Sequence, residues 1–188
     1  MKIAFLYFLL FFTAFTHLYS QNSNLPPVDR SPMDMSYYPA GYPVQKIQDK
    51  ITEPLVARVV YSRPQKAGRT VFGGLVKYGE VWRLGANEAT EIEFFRQVRI
   101  AGKKIQKGRY TLYAMVFEHT WTFILNKETD TWGSFKYNAA KDLVRVSVPA
   151  KKTAQTVEYL SMSFEKSATG CNLVVAWDTV LAELPVTF

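Results

Sequence analysis

The chain has very few of the residues that most metal and nucleophile sites need. It contains one cysteine, Cys171, and two histidines in 188 residues. A single cysteine excludes an internal disulfide, so the fold must depend on its hydrophobic core. His17 lies in the apolar N-terminal segment, which leaves His119 as the one histidine after it. A zinc site built from several His or Cys side chains is therefore excluded, and we expect no metal and no cofactor.

The remaining histidine and cysteine both favour structural roles. Any catalytic triad would have to use His119, which lies in residues 117–121 between two strand-like runs. A histidine at a hairpin tip is typical of a solvated turn. Cys171 precedes the apolar run 172–177 and is expected to be a buried small hydrophobic residue.

The N-terminus has the pattern of a secretory signal. Lys2 is followed by a short apolar run that ends at Ser20, which is typical of a cleaved signal peptide rather than of a retained anchor. We expect residues 1–20 to be removed, with export to the periplasm or the cell exterior. No later segment is apolar for long enough to span a membrane.

The charge pattern argues against nucleic acid as a partner. Without residues 1–20, which carry Lys2 and no acidic residue, the net charge falls from +7 to +6. The basic residues are scattered over turns and alternate strand positions rather than concentrated beside stacking aromatics, as a nucleic-acid site would need. We therefore expect a monomer whose partner is a small polar ligand or an envelope glycan.

The rest of the chain predicts an all-β domain. Residues 21–54 are rich in Pro and Tyr and show no strand or helix period, so they are predicted to be a leader and an extended N-terminal arm that packs Tyr37, Tyr38 and Tyr42 onto the domain. Residues 55–188 alternate polar and apolar positions in short runs separated by turns. The predicted strands are 55–61, 91–95, 97–100, a brief strand at 105, 110–117, 121–125, 143–148, 157–164, 172–177 and 180–186. Together they predict an antiparallel β-sandwich or jelly roll of about eight or nine strands.

Several of these segments resemble one family of exported bacterial proteins. The segment at residues 78–90 reads YGEVWRLGANEAT, and further matches occur at residues 61–64, 68–69, 72–75, 110–113, 126–127, 132–133 and 176–177. On these residues the chain resembles the family catalogued as domain of unknown function 2911, over about residues 55–188. The resemblance implies a single exported β-rich domain and no particular activity.

Residues 78–90 also hold the densest set of polar side chains in an otherwise plain β scaffold. A site is expected where such groups converge, because function is carried by sites placed on a fold. Carboxylate, amide and guanidinium groups beside an aromatic ring suit a carbohydrate-like or carboxylate ligand. The candidate ligand-binding residues are Arg63, Trp82, Arg83, Asn87, Glu88, Thr90 and Trp132.

Two other interpretations of this segment stay open. In the first, it is a structural corner: Trp82 fills the core, Arg83 pairs with Glu80 or Glu88, and Asn87 and Thr90 bond to nearby backbone. In the second, the chain is a hydrolase that uses Glu80 together with Glu88 or Glu91. We expect a non-catalytic binding module, with the hydrolase and a purely structural envelope domain as alternatives.

Overall fold

The computed structural model describes residues 25–188, so the predicted signal segment lies outside the described residues. One short helix, α1 (Tyr42–Ile47), and a 3-10 turn at Ala139–Lys141 accompany the strands of this region. The helices found in residues 25–188 are too short to cross a bilayer. The strands are β1 (Met33–Tyr38), β2 (Ala57–Ser62), β3 (Val81–Trp82), β4 (Glu91–Phe94), β5 (Val98–Ile100), β6 (Lys103–Ile105), β7 (Gly108–Val116), β8 (Thr120–Asn126), β9 (Asp142–Pro149), β10 (Lys151–Ser167) and β11 (Gly170–Thr187).

The strands form two antiparallel sheets, which confirms the predicted sandwich. The larger sheet has the order β1-β2-β4-β7-β8-β9, with β3 paired to the second half of β7. The smaller sheet has the order β10-β11-β5-β6. Side chains of β7 face the two sides of the larger sheet in turn. Leu112, Ala114 and Val116 face the core between the sheets, and Tyr113 faces the other side. A loop between β8 and β9 covers Tyr113, so this strand is buried on both faces at its centre.

An aromatic cluster closes one end of the core. The rings of Trp82 and Trp177 stack with centroids 6.1 Å apart. Trp121 meets Trp82 edge to face at 6.0 Å, and Phe72 lies 5.2 Å from Trp121. These rings come from both sheets and from the loop after β2. They therefore connect the two sheets near β3, which lies within the candidate segment 78–90.

The N-terminal arm is a strand of the larger sheet. Residues of β1 pair antiparallel with β2 from Met33 opposite Ser62 to Tyr38 opposite Ala57. Tyr38 is buried against Phe164 of the smaller sheet, and the Ser36 hydroxyl donates to Met162 O at 2.6 Å. Tyr37 and Tyr42 are partly buried. The arm therefore forms the sheet edge beyond β2 and contacts the opposite layer.

The structure differs from the predicted strands mainly at the C-terminus. The runs 172–177 and 180–186 belong to one strand, β11, which continues through Asp178 although this residue takes a positive φ of 54°. Register shifts lie on both sides of the pair of Val157 and Asp178, and the extra residues are on β10. In the sequence Asp178 looks like the end of a strand. The arm strand β1 and the two-residue β3 are also additions to the predicted set, since the Pro-rich arm shows no strand period and β3 is too short to show one.

Candidate functional site

Residues 83–90 form a tight loop between β3 and β4. Leu84 and Asn87 both take a φ of 57°, which turns the chain twice within a few residues. Thr90 closes the loop: its amide donates to Arg83 O at 3.0 Å, and its hydroxyl donates to Leu84 O at 2.8 Å. Thr90 has 0% of its surface exposed. It therefore shapes the loop and cannot touch a ligand.

Trp82 belongs to the aromatic cluster of the core. Its indole Nε1 donates to Gly85 O at 3.1 Å, which fixes the ring relative to the loop. The residue is only partly buried, so an edge of the ring still reaches the surface. Trp82 thus has the core role that one interpretation expected, and it can also border a site.

Arg63 lies apart from the other candidates, in a corner between the arm and β10. Its guanidinium donates to the Asp34 carboxylate at 2.9 Å, to the Ser161 hydroxyl at 3.0 Å and, through Nε, to Leu160 O at 3.2 Å. The Arg63 amide also donates to Pro32 O at 3.0 Å. These bonds tie the arm to both sheets, so the hydrogen-bonding capacity of Arg63 is used within the protein.

Asn87 and Glu88 meet the loop between β8 and β9 through the backbone. The Gly133 amide donates to Asn87 O at 2.9 Å, and the Ala89 amide donates to Thr131 O at 3.0 Å. This short antiparallel bridge places Trp132 opposite Glu88. Glu88 is exposed, and 61% of the Trp132 surface is exposed. The structure therefore brings Asn87, Glu88 and Trp132 together.

Arg83 has no protein acceptor for its side chain within residues 25–188. It forms no salt bridge with Glu80 or Glu88, and its Nε is buried without a hydrogen-bond partner, although the residue as a whole is half-buried. Its Nη1 lies 3.7 Å from the position that a Cβ at Gly133 would occupy. Burial lowers the pKa of the guanidinium, because desolvation without a nearby carboxylate disfavours the charged form. The structural interpretation in which Arg83 pairs with an acid beneath the loop is therefore wrong.

Arg83 also borders a cavity, which we call the Arg83 cavity. It has a volume of about 250 Å³ and lies where the loop after β2 meets the loop after β3. Among the described residues, no acidic side chain lines it. The lining residues that matter for binding are Arg69, Trp82, Arg83, Gly85, Ala86 and Trp177. Two guanidinium groups and the stacked indole pair therefore border a space that lacks negative charge.

Arg69 and Trp177 were not among the residues predicted for the site. Arg69 is oriented by its own loop, since Nε donates to Lys66 O at 3.0 Å and Nη2 to Gln65 O at 2.5 Å. Trp177 is held by a bond from its Nε1 to Glu158 O at 3.2 Å. Both lie in short motifs of the family resemblance, which is the one signal in the sequence that could have added them to the set.

The acidic residues predicted for a hydrolase do not form a cleft suited to a sugar ring. Glu80 is exposed at the turn before β3. Glu91 accepts from the Asp130 amide at 2.8 Å and pairs with Arg109 at 3.2 Å. Glu88 and Glu91 border a shared cavity of only about 130 Å³, which is about half the volume of the Arg83 cavity. Within residues 25–188, no group of His, Cys, Asp or Glu side chains is placed to hold a metal ion.

The histidine and the cysteine for which structural roles were expected have the expected surroundings. His119 is exposed in the turn between β7 and β8. Cys171 is fully buried, and this burial raises the pKa of its thiol to about 12. Neither lies at the Arg83 cavity.

Comparison with known proteins supports the resemblance seen in the sequence. The family model described as "Protein of unknown function (DUF2911)" matches residues 42–186. No curated protein and no solved structure matches the chain. The matched region begins after β1 and includes the Arg83 cavity almost entirely, together with the loop that carries Trp132.

Proposed function

Since the chain belongs to the protein family of unknown function DUF2911, which brings no activity with it, we propose a function from the site itself. The protein is an exported, monomeric, non-catalytic β-sandwich domain that binds a small carboxylate-bearing ligand in the Arg83 cavity. Of the two ligand chemistries expected from the sequence, carbohydrate-like and carboxylate, this cavity favours the second. Export rests on the signal pattern of residues 1–20, which carry one charge, Lys2.

The unpartnered guanidinium of Arg83 is the observation that carries this proposal. A buried donor without an acceptor destabilises the folded protein, by about 1–3 kcal/mol for a neutral group and more for a charged one. Arginine presents its N–H groups in a planar fork that matches a carboxylate with two parallel hydrogen bonds. A bound carboxylate would accept from the Nη groups of Arg83, whose side chain finds no acceptor within residues 25–188.

The remaining lining supports the same ligand class. Arg69 adds a second positive charge at the cavity, and no acid of the described chain opposes it there. The stacked pair of Trp82 and Trp177 offers apolar surface to the body of the ligand. A volume of about 250 Å³ suits a small organic acid rather than a long chain.

The hydrolase alternative has weaker support. Glu91 is held by Arg109 and by the Asp130 amide, and the cavity that it shares with Glu88 is small. A retaining or inverting mechanism needs two free carboxyl groups about 5–10 Å apart across the substrate. The carboxylates near residues 80–91 lie away from the Arg83 cavity.

Thermal shift and calorimetry with small organic acids test the proposal. The probes are acetate, benzoate, succinate and N-acetylglycine, each paired with its uncharged amide. At a hundredfold excess over Kd, binding stabilises the folded state by about 2.7 kcal/mol, or roughly 5–11 °C in Tm. We expect at least one acid to stabilise the protein while its amide does not, and Arg83→Met to abolish the effect.

Arg99→Met is the matched control, because Arg99 is an exposed arginine on β5 in the smaller sheet. It should retain the full acid-dependent shift. Equal stabilisation of wild-type protein and Arg83→Met, or no stabilisation by any acid, would contradict the proposal.

A further inference from the structure

Two exposed aromatic side chains distinguish the loop between β8 and β9 from the core. Trp82, Trp121 and Trp177 all pack against other rings. Trp132 in contrast has 61% of its surface exposed, and Phe135, three residues later, has 80% exposed. Large apolar side chains held together at the surface mark an interaction site more often than isolated ones do.

The loop that carries these rings is held on both sides. Its first half is bonded to residues 87–89 through the Ala89 amide and the Gly133 amide. The Tyr113 hydroxyl and the Thr131 hydroxyl lie 3.1 Å apart and share a hydrogen bond. Its second half is fixed where the Tyr137 hydroxyl donates to the Asp142 carboxylate at 2.6 Å. The aromatic rings are therefore positioned by a bonded framework.

Gly133 allows Phe135 to take its position. It has a φ of 65°, and a Cβ added to it would lie 2.7 Å from Cε2 of the Phe135 ring. Any side chain at this position would displace the ring, besides straining the backbone. Glycine is thus required here for the ring to lie against the loop.

Trp132 and Phe135 line a cleft of about 560 Å³, which we call the aromatic cleft. It shares no lining residue with the Arg83 cavity. Its volume falls in the range of typical small-molecule sites and exceeds that of the Arg83 cavity. It is therefore a second place at which a ligand could be held.

The charges around the aromatic cleft are largely compensated. The Asp130 carboxylate accepts from Arg109 at 2.6 Å and from the Thr129 hydroxyl at 2.9 Å. The Glu128 carboxylate pairs with Lys141. These oxygens keep lone pairs for further hydrogen bonds, while their charge is balanced by neighbouring cations. Lys136 adds N–H donors to the lining.

We propose that the aromatic cleft binds an uncharged oligosaccharide. Sugar rings present C–H faces that suit flat aromatic surface, and hydroxyl groups that both donate and accept hydrogen bonds. In the cleft, Trp132 and Phe135 take the C–H faces, while Asp130, Glu128 and Lys136 bond the hydroxyls. Because the carboxylates beside the rings are paired with cations, the cleft offers a largely neutral surface suited to an uncharged ligand, which separates this site in chemistry from the Arg83 cavity.

Isothermal titration of the protein from residue 21 onward with four neutral hexasaccharides tests this assignment. The probes are the linear β-1,4-glucan, β-1,3-glucan, α-1,4-glucan and β-1,4-N-acetylglucosamine hexamers. We expect at least one to bind, with Trp132→Ala and Phe135→Ala each weakening binding at least tenfold. Gly133→Ala should weaken binding as well, because it moves Phe135 without removing an aromatic ring.

Two controls keep the result specific to the aromatic cleft. Phe117→Ala removes an exposed aromatic ring from a different turn and should leave the affinity unchanged. Trp132→Ala should keep the acid-dependent thermal shift of the Arg83 cavity, whose lining does not include Trp132, so failure of the Arg83 site and failure of the aromatic cleft are told apart. Because Trp132 is exposed, its alanine variant should keep the wild-type Tm.

Three outcomes would overturn the assignment. The first is absence of binding to all four hexasaccharides. The second is binding that Trp132→Ala and Phe135→Ala leave unaltered. The third is a Trp132-dependent association with neutral vesicles or with a second copy of the chain, in the absence of sugar binding, which would make the cleft a membrane or protein contact.

Discussion

Arg63 and Arg83 occupy equivalent places in the chain and have opposite surroundings. Each directly follows a strand of the larger sheet, Arg63 after β2 and Arg83 after β3. Arg63 donates to a carboxylate, a hydroxyl and a carbonyl from two other strands. Arg83 has an unsatisfied Nε and no side-chain partner in the described part of the chain. The difference separates an arginine that assembles the fold from one that is available to a ligand.

The comparison also shows which of the two arginines lowers the stability of the folded protein. A charged group that is half-buried and unpartnered lowers stability, and proteins tolerate such a departure mainly where function requires it. At Arg63 the structure supplies every acceptor from its own residues. At Arg83 it supplies a cavity bordered by Arg69 and the indole pair instead.

Removing the arm should lower the stability of the protein more than any of the substitutions below. It leaves Arg63 without Asp34 and exposes the core surface that Tyr38 covers. Burial of one aromatic side chain is worth about 1.5–3 kcal/mol, and a hydrogen bond to a charged group about 1.5–3 kcal/mol. Together these contributions are about 3–6 kcal/mol, so deletion of residues 21–45 should lower the Tm by roughly 6–24 °C, measured by differential scanning calorimetry. Deletion of residues 21–30 is the control, since residues 25–30 are exposed; an equal loss in both would show that β1 contributes nothing.

Arg63→Met should have the next largest effect, because it removes three side-chain bonds and leaves Asp34 without its cation. The guanidinium is about one-third exposed, which reduces its contribution. We expect a loss of about 1–2 kcal/mol in the free energy of unfolding, measured by urea denaturation. Asp34→Asn should lose less, because the bonds to Ser161 and Leu160 remain; a larger loss for Asp34→Asn would reverse this ranking.

Alkaline pH should weaken the Arg63 corner through Tyr61. The Met162 amide donates to the buried Tyr61 hydroxyl at 2.9 Å, and burial raises the pKa of this hydroxyl. Its contribution to stability is present below the unfolded pKa of about 10 and is lost as the pH rises from there through the folded pKa.

The free energy of unfolding in urea should therefore fall between pH 9 and pH 11. Tyr61→Phe should be less stable at pH 8 but should fall less steeply over this range. Some slope remains, because the pKa of the Tyr137 hydroxyl is also raised, to about 12, by burial and by the bond to Asp142. Parallel curves for the two proteins would exclude a role for Tyr61 ionisation.

Arg83→Met should have the smallest effect on stability. The substitution keeps most of the apolar volume and removes a buried Nε that has no acceptor. We expect a change of less than about 0.5 kcal/mol, or a small gain, in the free energy of unfolding. Urea denaturation in ligand-free buffer provides the measurement. A loss as large as that of Arg63→Met would mean that Arg83 is a structural residue after all.

Features that depend on neighbouring residues were predicted well from the sequence, and features that depend on the direction or the distant contacts of a side chain were not. The alternation in β7 and β8 predicted their bounds to within about two residues, and Cys171 was expected to be buried because it begins an apolar run. The density of polar residues at 78–90 pointed to Arg83. The same density also included Thr90, whose hydroxyl is turned inward to Leu84 O, because composition does not show which way a side chain faces.

The sequence by itself determined the all-β class, most of the strands and the segment that carries Arg83, since strand periodicity and turn residues act over a few neighbouring positions. The tertiary structure decided that Arg63 meets Asp34, that Arg83 meets no acid, and that Trp177 lies against Trp82. Those relations join residues far apart in the chain. They follow from how two twisted sheets pack and how their loops cross, which local patterns do not encode.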